Sequence, residues 1–111
     1  MKLMFAVIHD EDANKAVKKL NQNKLGVTKL SSSGGFLKNG NTTLMIGVED
    51  ERVEEVMKIL ESECAKRTEV EIAAPYPPGG IPMLNYSHVP IKVEVGGATV
   101  FVVDVEEFRK I

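Results

Sequence analysis

The chain repeats itself at an offset of forty residues, and this constrains its fold more than any other feature. Ala13, Ala16, Val17 and Leu20 fall on Val53, Val56, Met57 and Leu60; Asp10 falls on Asp50 and Thr28 on Thr68. Each apolar quartet has the spacing of three, four and seven that gathers side chains on one face of a helix, and Cys64 extends the second face. Acidic residues crowd both helix starts, and Lys18, Lys19 and Lys24 lie towards the end of the first, as the helix dipole favours. Strand-like runs precede the helices at residues 3–8 and 43–48, and others follow at 26–30 and 68–72. Two β-α-β units in tandem predict an α+β, ferredoxin-like domain: a four-stranded antiparallel sheet with both helices on one face. Right-handed crossovers leave few other ways to connect that order. Two copies are too few for a solenoid, so the repeat marks internal pseudosymmetry.

Beyond Ile72 the fold is extended. Residues 73–88 are too rich in proline and glycine for regular structure, and they carry Tyr76, Tyr86 and His88. Residues 91–95, Gly96-Gly97 and residues 98–103 predict a C-terminal β-hairpin about a two-residue turn. Glu106-Glu107-Phe108 is expected to close in a short helical turn. A chain of 111 residues is long enough to bury a core without disulfides or metal. One domain spanning 1–111 is expected.

The stretch from Thr28 to Thr43 is too long for a tight hairpin turn. Gly34, Gly35 and Gly40 let a ligand approach the main chain closely. Phe36 and Leu37 are apolar in a segment that should face water, and the Asn41 amide both donates and accepts. An aromatic ring, an amide and bare backbone N–H groups suit a planar heterocycle carrying phosphate. The competing reading tucks Phe36 and Leu37 under their own loop or into a neighbouring subunit. Gly47, where the first half of the repeat has Val7, sits in mid-strand; it marks either a bulge or a place where something flat lies against the backbone.

Other chemistry is largely excluded. A net charge of −2 with no basic run argues against a holder of nucleic-acid phosphates, and the strands lack the aromatic RNA-binding consensus. His9 and His88 share no metal-ligand spacing with Cys64 or a carboxylate. The glycines form neither a Walker sequence nor a dinucleotide fingerprint. Ser31, Ser32 and Ser33 lack a local base, and Cys64 on an apolar helical face reads as an inert buried thiol. No enzyme is expected, and no cofactor. The single cysteine fits a reducing cytoplasm. The apolar start turns acidic at Asp10 too soon for a signal peptide, and no stretch approaches a membrane span.

In Val27-Thr28-Lys29-Leu30, Gly34-Gly35-Phe36-Leu37, Gly40-Asn41-Thr42-Thr43, Gly47-Val48-Glu49-Asp50 and Val93-Glu94-Val95-Gly96-Gly97-Ala98-Thr99-Val100-Phe101, the chain resembles the PII-like cyclic di-AMP receptor proteins of bacteria, over nearly its full length. The resemblance implies a cytoplasmic homotrimer with ligand sites between subunits, which senses cyclic di-AMP and signals to a downstream protein by changing the order of its loops. By position, Thr28 and Asn41 should hydrogen-bond adenine, Phe36 and Leu37 should cover a base, Gly35 should offer backbone contact, and Gly47 should leave room for the ring. The 96–101 segment should line the site from the other side, with Phe101 a lesser candidate.

Two departures stand out. Gly26 occupies a position where the family typically has an arginine that can reach phosphate, and residues 75–88 differ from the usual family loop. The alternative reading is a PII-like trimer that binds ATP or another adenine nucleotide and regulates a partner protein. A metal-binding trimer needs His9, His88 or Cys64 to converge, and a purely structural role makes Phe36 an interface residue.

Overall fold

A computed structural model describes residues 1–32, 40–73 and 89–111. The elements run β1 (Lys2–His9), α1 (Asp10–Gln22), β2 (Val27–Ser32), β3 (Asn41–Val48), a 3-10 turn (Asp50–Arg52), α2 (Val53–Cys64), β4 (Arg67–Ala73), β5 (Val89–Val95) and β6 (Ala98–Asp104). The fold is α+β and ferredoxin-like, with the extra strands of a PII-like domain. Four strands form an antiparallel sheet in the order β2-β3-β1-β6, and β4 and β5 form a separate antiparallel ribbon.

The two periodicities of the sequence meet in one core. Met4, Ala6 and Ile8 of β1 and Leu44, Ile46 and Val48 of β3 alternate onto the face that both helices cover. Ala13, Ala16 and Leu20 of α1 pack there with Val56, Ile59, Leu60 and Cys64 of α2, all buried. Ile59, absent from the predicted face of α2, widens its apolar stripe. Arg52 at the start of α2 bonds the Asn23 carbonyl at 2.8 Å, which ties the entry of one helix to the exit of the other.

One strand moves relative to expectation. The repeat assigns the place beside β1 to β4, but β6 takes it, pairing Phe101 with Phe5 and Val100 with Ala6. Sequence explains the exchange. β6 is apolar on both faces, with Ala98, Val100 and Val102 towards the helices and Phe101 and Val103 away from them. β4 places Arg67 and Glu69 along one face, and a strand so charged fits poorly beside a central strand.

The predicted C-terminal hairpin is therefore corrected: β5 pairs with β4, β6 pairs with β1, and Gly96-Gly97 is a corner between two sheets. Both glycines have positive φ, +83° and +99°. A Cβ on Gly96 would collide with the Ala65 carbonyl, and the Gly97 N–H donates to the Cys64 carbonyl, capping the end of α2. The corner thus needs glycine because it passes against the end of a helix. Residues 105–111 form no helical turn, contrary to expectation.

Candidate ligand-binding site

The face of the sheet turned away from the helices carries Leu3, Phe5 and Val7 of β1, Thr43, Met45 and Gly47 of β3, Thr28 and Leu30 of β2, and Thr99, Phe101 and Val103 of β6, by the alternation of the register. An antiparallel sheet with a solvated face shows polar residues there. Here Leu30, Phe101 and Val103 are 42%, 46% and 47% exposed. These exposed apolar side chains, set among Thr28, Thr43 and Thr99, make the face a candidate interaction surface.

At one edge of that face the side chains stop. β2 and β3 pair from Val27↔Ile46 onward, and one step beyond, the register brings Gly26 opposite Gly47. A Cβ built on either meets nothing within 4 Å. Two bare stretches of backbone therefore lie side by side as an open shelf. Thr28, paired with Met45, stands diagonally from Gly47 on the same face. The structure thus brings Thr28 and Gly47 together, and the strand at Gly47 pairs regularly with Leu3 of β1, without a bulge.

Asn41 is separate. It opens β3 opposite His9 and is buried, at 4% exposure. It lies four residues along the strand from the partner of Thr28, roughly 13 Å at strand rise. Phe101 lies on the opposite edge strand, three strands from Thr28, roughly 14 Å at ordinary strand spacing. It can face the shelf only from another copy. Gly35, Phe36 and Leu37 lie outside the described residues, as do Tyr76, Tyr86 and His88.

Asn41 is framed by α1. The Asp10 N–H donates to the Gly40 carbonyl at 3.0 Å, and the Thr42 hydroxyl donates to Asp10 Oδ1 at 2.6 Å. Two residues on, Asp12 is fully buried and accepts two hydrogen bonds from Arg67, at 2.8 and 3.4 Å. Burial pushes the Asp12 carboxyl up, but the Arg67 hydrogen bonds and charge, helped by Lys15, outweigh it and hold the pKa below the ordinary carboxylate value. Sequence reading missed Asp12 by assigning acidic residues at helix starts to the dipole alone. Its spacing from Ala16 and Leu20, four and eight residues, puts it on the buried stripe, and that was the available signal.

The remaining candidates are inert or dispersed. Cys64 is buried, and burial first, then the charges of Asp12 and Glu63, push its thiol up to about 11. It lines a groove of about 390 Å³ between α2 and β6, with Met57, Leu60 and Val100. That groove lies on the helix side of the sheet; Gly97, Ala98 and Val100 of the 96–101 segment line it, whereas Thr28, Asn41 and Gly47 do not. Among the described residues no three His, Cys, Asp or Glu come together to hold a metal ion, and no helix is long and apolar enough to cross a membrane.

A sheet-edge shelf of bare backbone on a ferredoxin-like, PII-like domain is a candidate place for a ligand to lie. The family model for the cyclic-di-AMP receptor matches residues 1–111, and the chain belongs to that family. Its ligand by that membership is cyclic di-AMP. Among solved structures it is similar to a functionally unknown protein from Pediococcus pentosaceus ATCC 25745, at 41% identity with a TM-score of 0.78, over 99% of this chain and 96% of that one.

Proposed function

We propose that the protein is a non-enzymatic bacterial receptor that works in the cytoplasm as a homotrimer of single-domain chains. Cyclic di-AMP sits at the subunit junctions and is read out by loop ordering to a downstream protein. The observation that supports this reading is the spread of the proposed site residues over two sheet edges. Thr28 and the Gly26–Gly47 shelf lie on one edge and Phe101 on the other, so only neighbouring copies can bring them together. The apolar open face supplies the surface for that assembly, and burying it is favourable at about 25 cal/mol per Å².

On this reading one adenine lies flat on the shelf beside Thr28, and the other is held towards Asn41. Phe36 and Leu37 cover a base, and Gly35 presents its N–H. Stacking on an aromatic ring contributes about 1–3 kcal/mol per base. An Asn amide meets an adenine edge with one donor and one acceptor. Backbone N–H groups in a glycine-rich segment can hold two phosphates without a basic patch.

Thermal melts with cyclic di-AMP, cyclic di-GMP and ATP, each in excess, test the ligand. Cyclic di-AMP at a hundred times its dissociation constant should stabilise the protein by about 2.7 kcal/mol. A larger shift with ATP would transfer the reading to an adenine-nucleotide sensor. Sedimentation should give three times the chain mass of 12.2 kDa, and Val103→Lys on the open face should reduce it to a folded monomer.

A further inference from the structure

We infer, on the receptor reading above, that the first turn of α1 couples the ligand segment to the β4–β5 ribbon, with Asp10 and Asp12 as its positioning residues. Asp10 holds Gly40 through its N–H and Thr42 through its carboxylate, the residues on either side of Asn41. A Cβ on Gly40 would run into that carboxylate. Asp12 holds Arg67, the first residue of β4. Arg67 in turn donates to the Ala65 carbonyl at 3.2 Å, and its Nη1 lies 2.7 Å from where a Cβ on Gly96 would sit. The root of the ribbon, the end of α2 and the Gly96–Gly97 corner therefore meet at one guanidinium.

Asp10 and Asp12 are separated by one residue in a continuous helix, about 3 Å along its axis. A shift of one carries the other. Beyond its root, the ribbon's described strands pack chiefly on each other, so its placement depends on this anchor. The equivalent turn of α2 grips other places: Asp50 binds the Met1 amino group, and Arg52 binds Glu55 and the Asn23 carbonyl, so neither reaches the ribbon. Coupling between two sites is reciprocal, so a ligand that reorders Gly40–Thr42 reorders the root of the ribbon, and the ribbon's state feeds back on affinity.

Hydrogen–deuterium exchange of the full chain tests this first without ligand. Thr42→Val should speed exchange at Arg67–Val70 severalfold, and Arg67→Met should do the same at Asn41–Leu44. Both rises should exceed any rise at Met4–Ile8 in the core, and Arg67→Lys should partly restore the wild-type pattern at Asn41–Leu44. Thr42→Val removes one hydroxyl and keeps the test open if Arg67→Met does not fold. Faster exchange confined to the substituted anchor, or spread evenly over the core, overturns the coupling. With cyclic di-AMP, exchange at the ribbon root should slow in the wild type and not in Arg67→Met. Failure of the wild type to bind strikes the receptor reading alone, because the cross-effects between positions 42 and 67 are measured in the unliganded protein.

Discussion

β2 and β4 follow equivalent helices in a chain that repeats at an offset of forty, yet they meet different fates. β2 pairs with β3, sends Val27 towards the core, and carries the Thr28 edge of the shelf. β4 leaves the sheet, pairs with β5, and is anchored through Arg67 to a buried carboxylate on the other half's helix. The helices kept the symmetry because both must bury the same stripe. The strands lost it because β6, apolar on both faces, competes for the position beside β1. Both halves thus contribute to the candidate shelf, Gly26 following α1 and Gly47 preceding α2, and β4 is free to serve as an appendage.

If the helices are equivalent, Leu20→Ala and Leu60→Ala should cost similar amounts. Both side chains are essentially buried in the same core, and each truncation should lower stability by about 2–5 kcal/mol in urea denaturation. A cost under about 1 kcal/mol for either breaks the symmetry at its strongest point.

The helix starts should differ instead. Asp12→Asn weakens a buried, charge-assisted pair whose Arg67 is 34% exposed, and a loss of about 1–2 kcal/mol at neutral pH is expected after allowing for solvent screening. Arg52→Met, which removes the exposed Arg52–Glu55 pair and one bond to Asn23, should change stability less. The Asp12 pKa is lowered on folding, so its contribution is complete above the unfolded value of about 3.9. It disappears as pH falls through the folded value. Denaturation between pH 5 and pH 2, pH values of about one unit above and two below that reference, should show a shallower acid limb in Asp12→Asn. Parallel limbs in the two proteins would contradict the assignment.

The smallest effect on stability is expected at the shelf. Gly26 is exposed, without positive φ, and a Cβ there meets nothing, so Gly26→Arg should alter stability by no more than about 0.5 kcal/mol. The added guanidinium should tighten cyclic di-AMP binding severalfold, with a gain that shrinks as salt is raised. Unchanged affinity would place the phosphates away from β2.

Most of the fold was legible because periodicity reports burial directly: the helix faces, the strand–helix–strand order of both halves and the sequence of elements follow from it. Pairing was less legible. Gly96-Gly97 has the composition of a hairpin turn, and only the competition between β4 and β6 for β1 shows it to be a corner. At the site, Gly47 was readable as a missing side chain in a strand, but its neighbour Gly26 emerged only with the β2–β3 register. Asp12 was masked by the generic preference of carboxylates for helix starts, and its partner Arg67 lies 55 residues away.

The most direct measurement is a calorimetric titration of the wild type and Gly47→Val with cyclic di-AMP, side by side. Valine suits a strand and finds open space at Gly47, so the variant should melt like the wild type. The account predicts saturable binding in the wild type and a loss of at least tenfold in affinity, about 1.4 kcal/mol, in Gly47→Val. No heat from the folded wild type, or superimposable isotherms for the two proteins, would contradict it.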